Sequence, residues 1–351
     1  VEDVRETQMG REIAQQPQAV QDTLDALIPL RDRIAEVYAG REQVLFVARG
    51  SSDNAAVYGR YLLETHSGVL ASLFSPSVAT HYGAKLDLSH SLVVSVSQSG
   101  QTEEIVQTQQ WAKECGAATI AVANVPDSPL LADADLGLLT QAGPELAVPA
   151  TKTYVSQTVA MAVLGTALSG DPSAYDDELA TVPGEIERLL AERSGVAEAV
   201  AALKDSAYAV VSGRGLLMGT ALETALKLEE TCLRPVRGYS YADLRHGPIS
   251  VVTGGMSAVL VSAADGPMST PMIELAQDLD QRGATTVGIG GTTEFADTVD
   301  VAVAGPRLTE ALSPIASIVP AQLVVESLAL SLGLDPDNPR GLAKVTTTDP
   351  D

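Results

Sequence analysis

In the segment LETALKLEE, Glu223, Lys227 and Glu230 stand at i, i+4 and i+7, a spacing that lines two carboxylates and an amine along one helix face. A carboxylate held beside an acidic carbon can remove and return a proton, and burial or a neighbouring lysine can tune its pKa for that task. The same spacing also describes an exposed ion pair, worth only about 0.2–0.5 kcal/mol and without chemistry. Leu222, Ala225, Leu226 and Leu233 lie to one side and are expected to form the packing stripe of this helix. The turn-rich stretch that follows, YSYADLRHGPIS, sets His246 between Arg245 and a Gly247-Pro248 turn. Histidine exchanges protons near neutral pH, so His246 is a candidate for proton transfer as well as for a structural role in the turn.

A second group of residues suits an anion. SVSQSGQTEE follows the apolar run Leu92-Val93-Val94 and brings Ser97, Gln98, Ser99 and Thr102 to the start of an expected helix. Unpaired backbone N–H groups and the positive end of the helix dipole gather at such a start. Small hydroxyl side chains add donors without crowding, so a phosphate can be held there without net positive charge. GSSDN, after an earlier apolar strand, adds Gly50, Ser51 and Ser52, whose hydroxyls can close the same pocket. Ordinary N-caps use the same residue types. Neither SGRG nor SQSGQT completes GxGxxG, and there is no GxxxxGK[ST], so dinucleotide and P-loop sites are not supported.

The elements that must position these residues repeat along the chain. Residues 43–64 and 207–230 each read as an apolar strand, a Gly-containing turn and a small-residue helix. CGAATIAVAN (115–124) is echoed by RGATTVGIGG (282–291) at a similar offset. This alternation predicts two tandem α/β subdomains with parallel sheets, right-handed crossovers and ligands bound beyond the carboxyl ends of the strands. The division expected is an N-terminal helical arm (1–38), a first subdomain with the phosphate loops (39–170), a linker helix region (171–203), a second subdomain with the catalytic helix and His246 loop (204–334), and a tail (335–351).

Composition agrees with such a framework. Hydrophobic residues make up 45% of the chain but aromatics only 4%, so the core must be built from Ala, Val, Leu and Ile, as in sheets buried on both faces. The formal charge of −23, from 22 Lys+Arg against 45 Asp+Glu, makes nucleic acid and anionic membrane poor partners. Cys115 and Cys232 form no disulfide framework, and no cluster has metal-ligand spacing, so neither metal nor cofactor is expected. The charged N-terminal stretch lacks the apolar core of a secretory signal. SPIASIVPAQLVVESLALSLG, interrupted by Pro320, Gln322 and Glu326, is expected to be a buried helix, and the protein to be soluble and cytoplasmic.

GSSDN, SVSQSGQTEEIV, AVPATKTYVSQ, ALETALKLEETCLRPVRGYSYADLRHGPIS and DPDNPRGLAKVTTT, in this order, resemble the sugar isomerase (SIS) family. The likeness is strongest to the isomerase half of glucosamine-6-phosphate synthase and its stand-alone deaminase relatives, and it covers nearly the whole chain. It implies two flavodoxin-like SIS subdomains in a homodimer, with an active site near the dimer interface. It also implies that Ser52, Ser97, Gln98, Ser99 and Thr102 hold a substrate phosphate, with Gly50, Ser51, Ala150 and Thr151 near the sugar. By the same resemblance Glu230 moves a proton between C1 and C2, and His246, supplied by the partner subunit, opens the sugar ring. Glu223 and Lys227 support them, and Lys344 reaches the carbonyl carbon. Departures include Ala150 in place of a serine, Glu229 in place of a lysine, and no glutaminase domain ahead of Val1, so use of glutamine is not expected.

Several reactions fit these residues. After ring opening, loss of the C2 proton from glucosamine-6-phosphate and reprotonation at C1 lead to fructose-6-phosphate and ammonia. With N-acetylglucosamine-6-phosphate, the same carbanion could expel the C3 hydroxyl, making the protein a dehydratase. A non-catalytic sugar-phosphate sensor would need only the phosphate loop.

Overall fold

Short runs of Val, Leu, Ile and Ala that repel water on both faces become the strands, and the computed structural model describes residues 6–344 of the chain. The first sheet comprises β1 (Gln43–Val47), β2 (Leu70–Leu73), β3 (Ser91–Val96), β4 (Ala118–Ala123) and β5 (Leu136–Leu139). The second comprises β6 (Ala209–Gly213), β7 (Val236–Ser240), β8 (Ser257–Ser262), β9 (Thr285–Gly290) and β10 (Val301–Val303). Their orders, β2-β1-β3-β4-β5 and β7-β6-β8-β9-β10, are the same topology used twice, with every pairing parallel. Counted from each sheet's first strand the order is flavodoxin-like, with a switch point beside the first strand. Each sheet is flanked by helices, giving two tandem flavodoxin-like subdomains.

The repeat extends to side chains. Thr119 at the start of β4 donates its N–H and hydroxyl to Asp135 Oδ2 at 2.8 and 3.0 Å. Thr286 in β9 does the same to Asp300 Oδ2 at 2.7 and 2.9 Å. In both places the aspartate N–H returns a bond to the threonine hydroxyl, so the next strand is tied in by the residue just before it.

The chain gathers into two compact units. The first contains Gln18–Pro144 and Lys152–Ala180; the second contains residues 6–17, Glu145–Thr151 and Thr181–Lys344. In the first unit the helix Lys152–Ala167 is buried along its whole length. It lies tightly against the helix Ser51–Leu62: a Cβ on Gly59 would come within 2.7 Å of Met161 Sδ, and one on Gly165 within 2.6 Å of Leu62. That contact fixes the helix whose first residues are Ser51 and Ser52.

In the second unit the apolar segment is a continuous helix, Ser313–Ser331, almost entirely buried and passing through Pro320 without ending. It is a core helix, as its composition predicts. The helix Gln8–Ala14 starts from Thr7, whose hydroxyl accepts from Gly10 N–H at 2.8 Å. Asp337 Oδ atoms accept from the amides of Gln8 and Met9 at 3.0 and 2.8 Å, a carboxylate at a helix start that also anchors the tail.

Candidate functional site

The first unit places its hydroxyl loops side by side. Val47 of β1 pairs with Ser95 of β3, so the chain leaving each strand emerges at the same sheet edge, at the switch point. Ser52 and Ser97 are buried, while Ser51, Gln98, Ser99 and Thr102 are half-buried. Thr102 occupies the N-cap of the helix Glu103–Glu114 but its side chain makes no capping bond. Its hydroxyl instead lies 3.3 Å from that of Ser97, and Ser97 Oγ also accepts from Gly100 N–H at 3.3 Å. Ser99 Oγ accepts from Gln101 N–H at 3.2 Å. Among the described residues the amides of Glu103 and Glu104 find no backbone acceptor. The hydroxyls therefore converge over an open helix start and do not act as its caps.

Gly100 is required for this shape. Its φ is +62°, and a Cβ would stand 2.3 Å from Ser128 Oγ, so the close approach is to the protein's own Ser128. Gly50, at the N-cap of the Ser51–Leu62 helix, has φ 56° and no side-chain cap. Composition did not reveal the pair that joins the two loops: Arg49 donates from Nε and Nη2 to the buried Glu104 carboxylate at 3.0 and 2.8 Å. This bidentate bond pairs the Arg49 guanidinium with Glu104, while the hydroxyls and helix starts remain donors able to hold an anion.

The second unit carries the residues expected to do acid–base chemistry. Glu223, Lys227 and Glu230 lie on the helix Met218–Cys232. Glu223 and Lys227 are 0% and 1% exposed, which rules out a solvent-exposed ion pair there. Lys227 Nζ donates to Glu230 Oε2 at 2.5 Å and lies 3.4 Å from Glu223 Oε1. Burial alone would push the Lys227 pKa down; the charges of Glu223, Glu230 and Glu145 outweigh it and hold the ammonium above the ordinary lysine range. Glu230 is the member that reaches the surface, with a quarter of its side chain exposed.

The expected packing stripe is only partly right. Ala225 is buried, but Leu222 and Leu226 are half-buried and Leu233 is 42% exposed. Leu233 adopts a left-handed conformation, φ 52°, which ends the helix and turns its side chain out of register. Ala221, Leu228 and Cys232 pack in its stead. Glu229, which stands where the resemblance has a lysine, is exposed; partial burial and then the neighbouring Glu230 charge raise its pKa.

Lys344 is brought to the second unit's interior edge. Its Nζ donates to Glu145 Oε2 at 2.8 Å and to the Ala147 carbonyl at 2.6 Å. Glu145 was missed in the sequence, where a single acid in GPELAVPATK gives little signal. Its Oε1 accepts from Thr151 N–H at 2.9 Å and from the Thr151 hydroxyl at 3.4 Å, and Thr151 is fully buried. Ala150 beside it is half-buried. His246 follows the short helix Tyr241–Arg245 and is exposed; among the described residues it makes no hydrogen bond to Glu223, Lys227 or Glu230. Among the described residues, no group of three or more His, Cys, Asp or Glu could hold a metal ion.

Comparison with known proteins gives the arrangement a family. The SIS domain family matches residues 38–167 and 202–332, one match on each sheet. A glutamine–fructose-6-phosphate aminotransferase (isomerizing) of Thermococcus kodakarensis is 34% identical over 349 residues, 97% of this chain and 58% of that protein. The chain thus spans less than two-thirds of the length of the curated relatives it matches. A solved structure from Silicibacter pomeroyi DSS-3, provisionally described as a phosphosugar isomerase, is 34% identical with a TM-score of 0.82, covering 95% of this chain and all of that one. The C-terminal domain of glucosamine-fructose-6-phosphate aminotransferase from Francisella tularensis superposes with a TM-score of 0.86 at 24% identity, over 96% of this chain and all of that one, and so shares the fold. The chain belongs to the SIS domain family.

Proposed function

We propose that the protein acts on an aminosugar phosphate, opening the ring of glucosamine-6-phosphate and moving a proton between C2 and C1 to give fructose-6-phosphate and ammonia. The observation that carries this reading is the coupled set of buried Glu223 and Lys227 with the surface-reaching Glu230, which a protein that merely bound the sugar would not need. In the proposed reaction the hydroxyl loop, with Ser52, Ser97, Gln98, Ser99 and Thr102, holds the phosphate. His246, supplied by a second copy in a homodimer, assists ring opening. Glu230 takes the C2 proton as the C1 carbonyl becomes an enolamine, then returns it to C1, and hydrolysis of the resulting C2 imine releases ammonia. Lys227 holds the Glu230 carboxylate in place between turnovers. Lys344 supplies an amine able to reach the carbonyl carbon. The names of the relatives, an isomerizing aminotransferase that uses fructose-6-phosphate and a phosphosugar isomerase, support a substrate of this class.

Incubation of the purified protein with glucosamine-6-phosphate and, separately, with N-acetylglucosamine-6-phosphate tests the reading through product mass and free ammonia. Ammonia and fructose-6-phosphate from the first are expected. A product lighter by one water from the second would replace deamination with dehydration. Both sugars bound and recovered unchanged would make the protein a sensor.

A further inference from the structure

The segment Glu145–Thr151 is held to its own unit by several hydrogen bonds. The buried Glu12 carboxylate accepts from the amides of Leu146 and Ala147. Val148 N–H donates to the Asp337 carbonyl at 2.8 Å, and Gln322 Nε2 donates to the Thr151 carbonyl at 3.4 Å. At the centre of this segment stands Glu145, with no side-chain exposure. Its two oxygens are divided: Oε1 takes Thr151, six residues on, and Oε2 takes Lys344, on the tail. A buried carboxylate is costly unless its lone pairs are met, so this division is held strongly. Its charge also reaches Lys227, which links it to the acid–base set.

We propose that Glu145 is a positioning residue for the reaction: it fixes the Lys344 amine in place and ties the tail to the loop that carries Thr151. This rests on the proposed role of Lys344, but not for its first test. Glu12 holds only backbone amides of the segment and Asp337 meets only backbone, so neither can replace Glu145 in setting a side chain. Gln at 145 keeps an oxygen for Thr151 N–H but removes the charge that holds the ammonium. Asp keeps the charge and draws it back by one methylene.

The test has two arms. In the sugar-free protein, acylation of Lys344 by a small amine-reactive ester is followed by peptide mass spectrometry. Glu145→Gln is expected to raise its labelling rate several-fold, with Glu145→Asp in between. In the second arm, turnover of glucosamine-6-phosphate by Glu145→Gln should fall by about a hundredfold in kcat, the effect of roughly an ångström of misplacement, with KM within about twofold. The borohydride-trapped adduct of Lys344 with the sugar should fall in parallel. Equal labelling in wild type and both variants would overturn the proposal, as would an unchanged kcat. Faster labelling in a protein whose wild type turns over no aminosugar phosphate would uphold the positioning role and sink the functional reading. Should Glu145→Gln not fold, Glu145→Asp carries both arms.

Discussion

The crevice between β1 and β3 in the first sheet is bordered by Gly50, Ser51, Ser52 and the Ser97–Thr102 loop. The equivalent crevice of the second sheet, between β6 and β8, is bordered by Arg214-Gly215 and by Ala263–Gly266. There Glu310 lies across the opening: its N–H donates to Asp265 Oδ1 at 2.7 Å, and a Cβ on Gly266 would meet its carboxylate at 2.3 Å. Arg214 is turned away, its guanidinium 4.5 Å from the centre of the Tyr241 ring. One strand order thus yields one opening lined by hydroxyls and helix dipoles and another lined by carboxylates. In the second sheet's unit the candidate acid–base residues lie along the helix Met218–Cys232. The difference teaches that the fold supplies two candidate pockets, while side-chain chemistry decides which can take an anion.

The strongest way to strain the comparison is at the helix. Lys227→Met leaves Glu223 and Glu230 without their shared cation and should cost about 3–5 kcal/mol of stability, measured by urea unfolding. Because the folded-state pKa of Lys227 is raised, its contribution is fully present below the ordinary lysine value of 10.5 and is lost only as pH climbs past the folded value. Wild type should therefore show an alkaline loss of stability above that range which the variant lacks. A near-zero change would mean that this set is not the tightly coupled centre described here.

A smaller effect is expected in the first crevice. Ser97→Ala removes a hydroxyl shared by Thr102 and Gly100 and should weaken sugar-phosphate affinity about tenfold by calorimetry, the worth of one charge-assisted hydrogen bond. Unchanged affinity would assign these hydroxyls to the loop's own structure.

The smallest effect belongs to the second crevice. Burial, and then the charge of Asp265, raise the Glu310 pKa. Its favourable contribution is present below the ordinary value of 4.5 and is lost as pH rises through the folded value. Glu310→Gln should therefore raise Tm slightly at neutral pH, with the gain vanishing toward acid, and leave sugar-phosphate affinity unaltered. Weakened binding would mean that the acidic crevice takes part after all.

Much of this was legible in the sequence. The apolar strands, the repeat and the hydroxyl loops depend on local pattern, and the parallel sheets with their switch points follow from that pattern. The i, i+4, i+7 spacing placed Glu223, Lys227 and Glu230 together, but spacing is silent on burial, which depends on what the helix packs against. Leu233 was misjudged because a stripe drawn on a helical wheel assumes that the helix continues. Glu145 and the Arg49–Glu104 pair were not legible at all. Each joins residues distant in the chain, 199 apart for Glu145 and Lys344, and single charged residues give no periodic signal.

The most direct test of the account is solvent-deuterium exchange at C2. Glucosamine-6-phosphate and fructose-6-phosphate would be incubated with ammonia and wild-type or Glu230→Gln protein in D2O and followed by NMR. The account predicts wash-in of deuterium at C2 of the aminosugar with wild type. With Glu230→Gln it predicts a rate lower by about two to four orders of magnitude and sugar-phosphate binding intact. Exchange at the same rate in both proteins would contradict it.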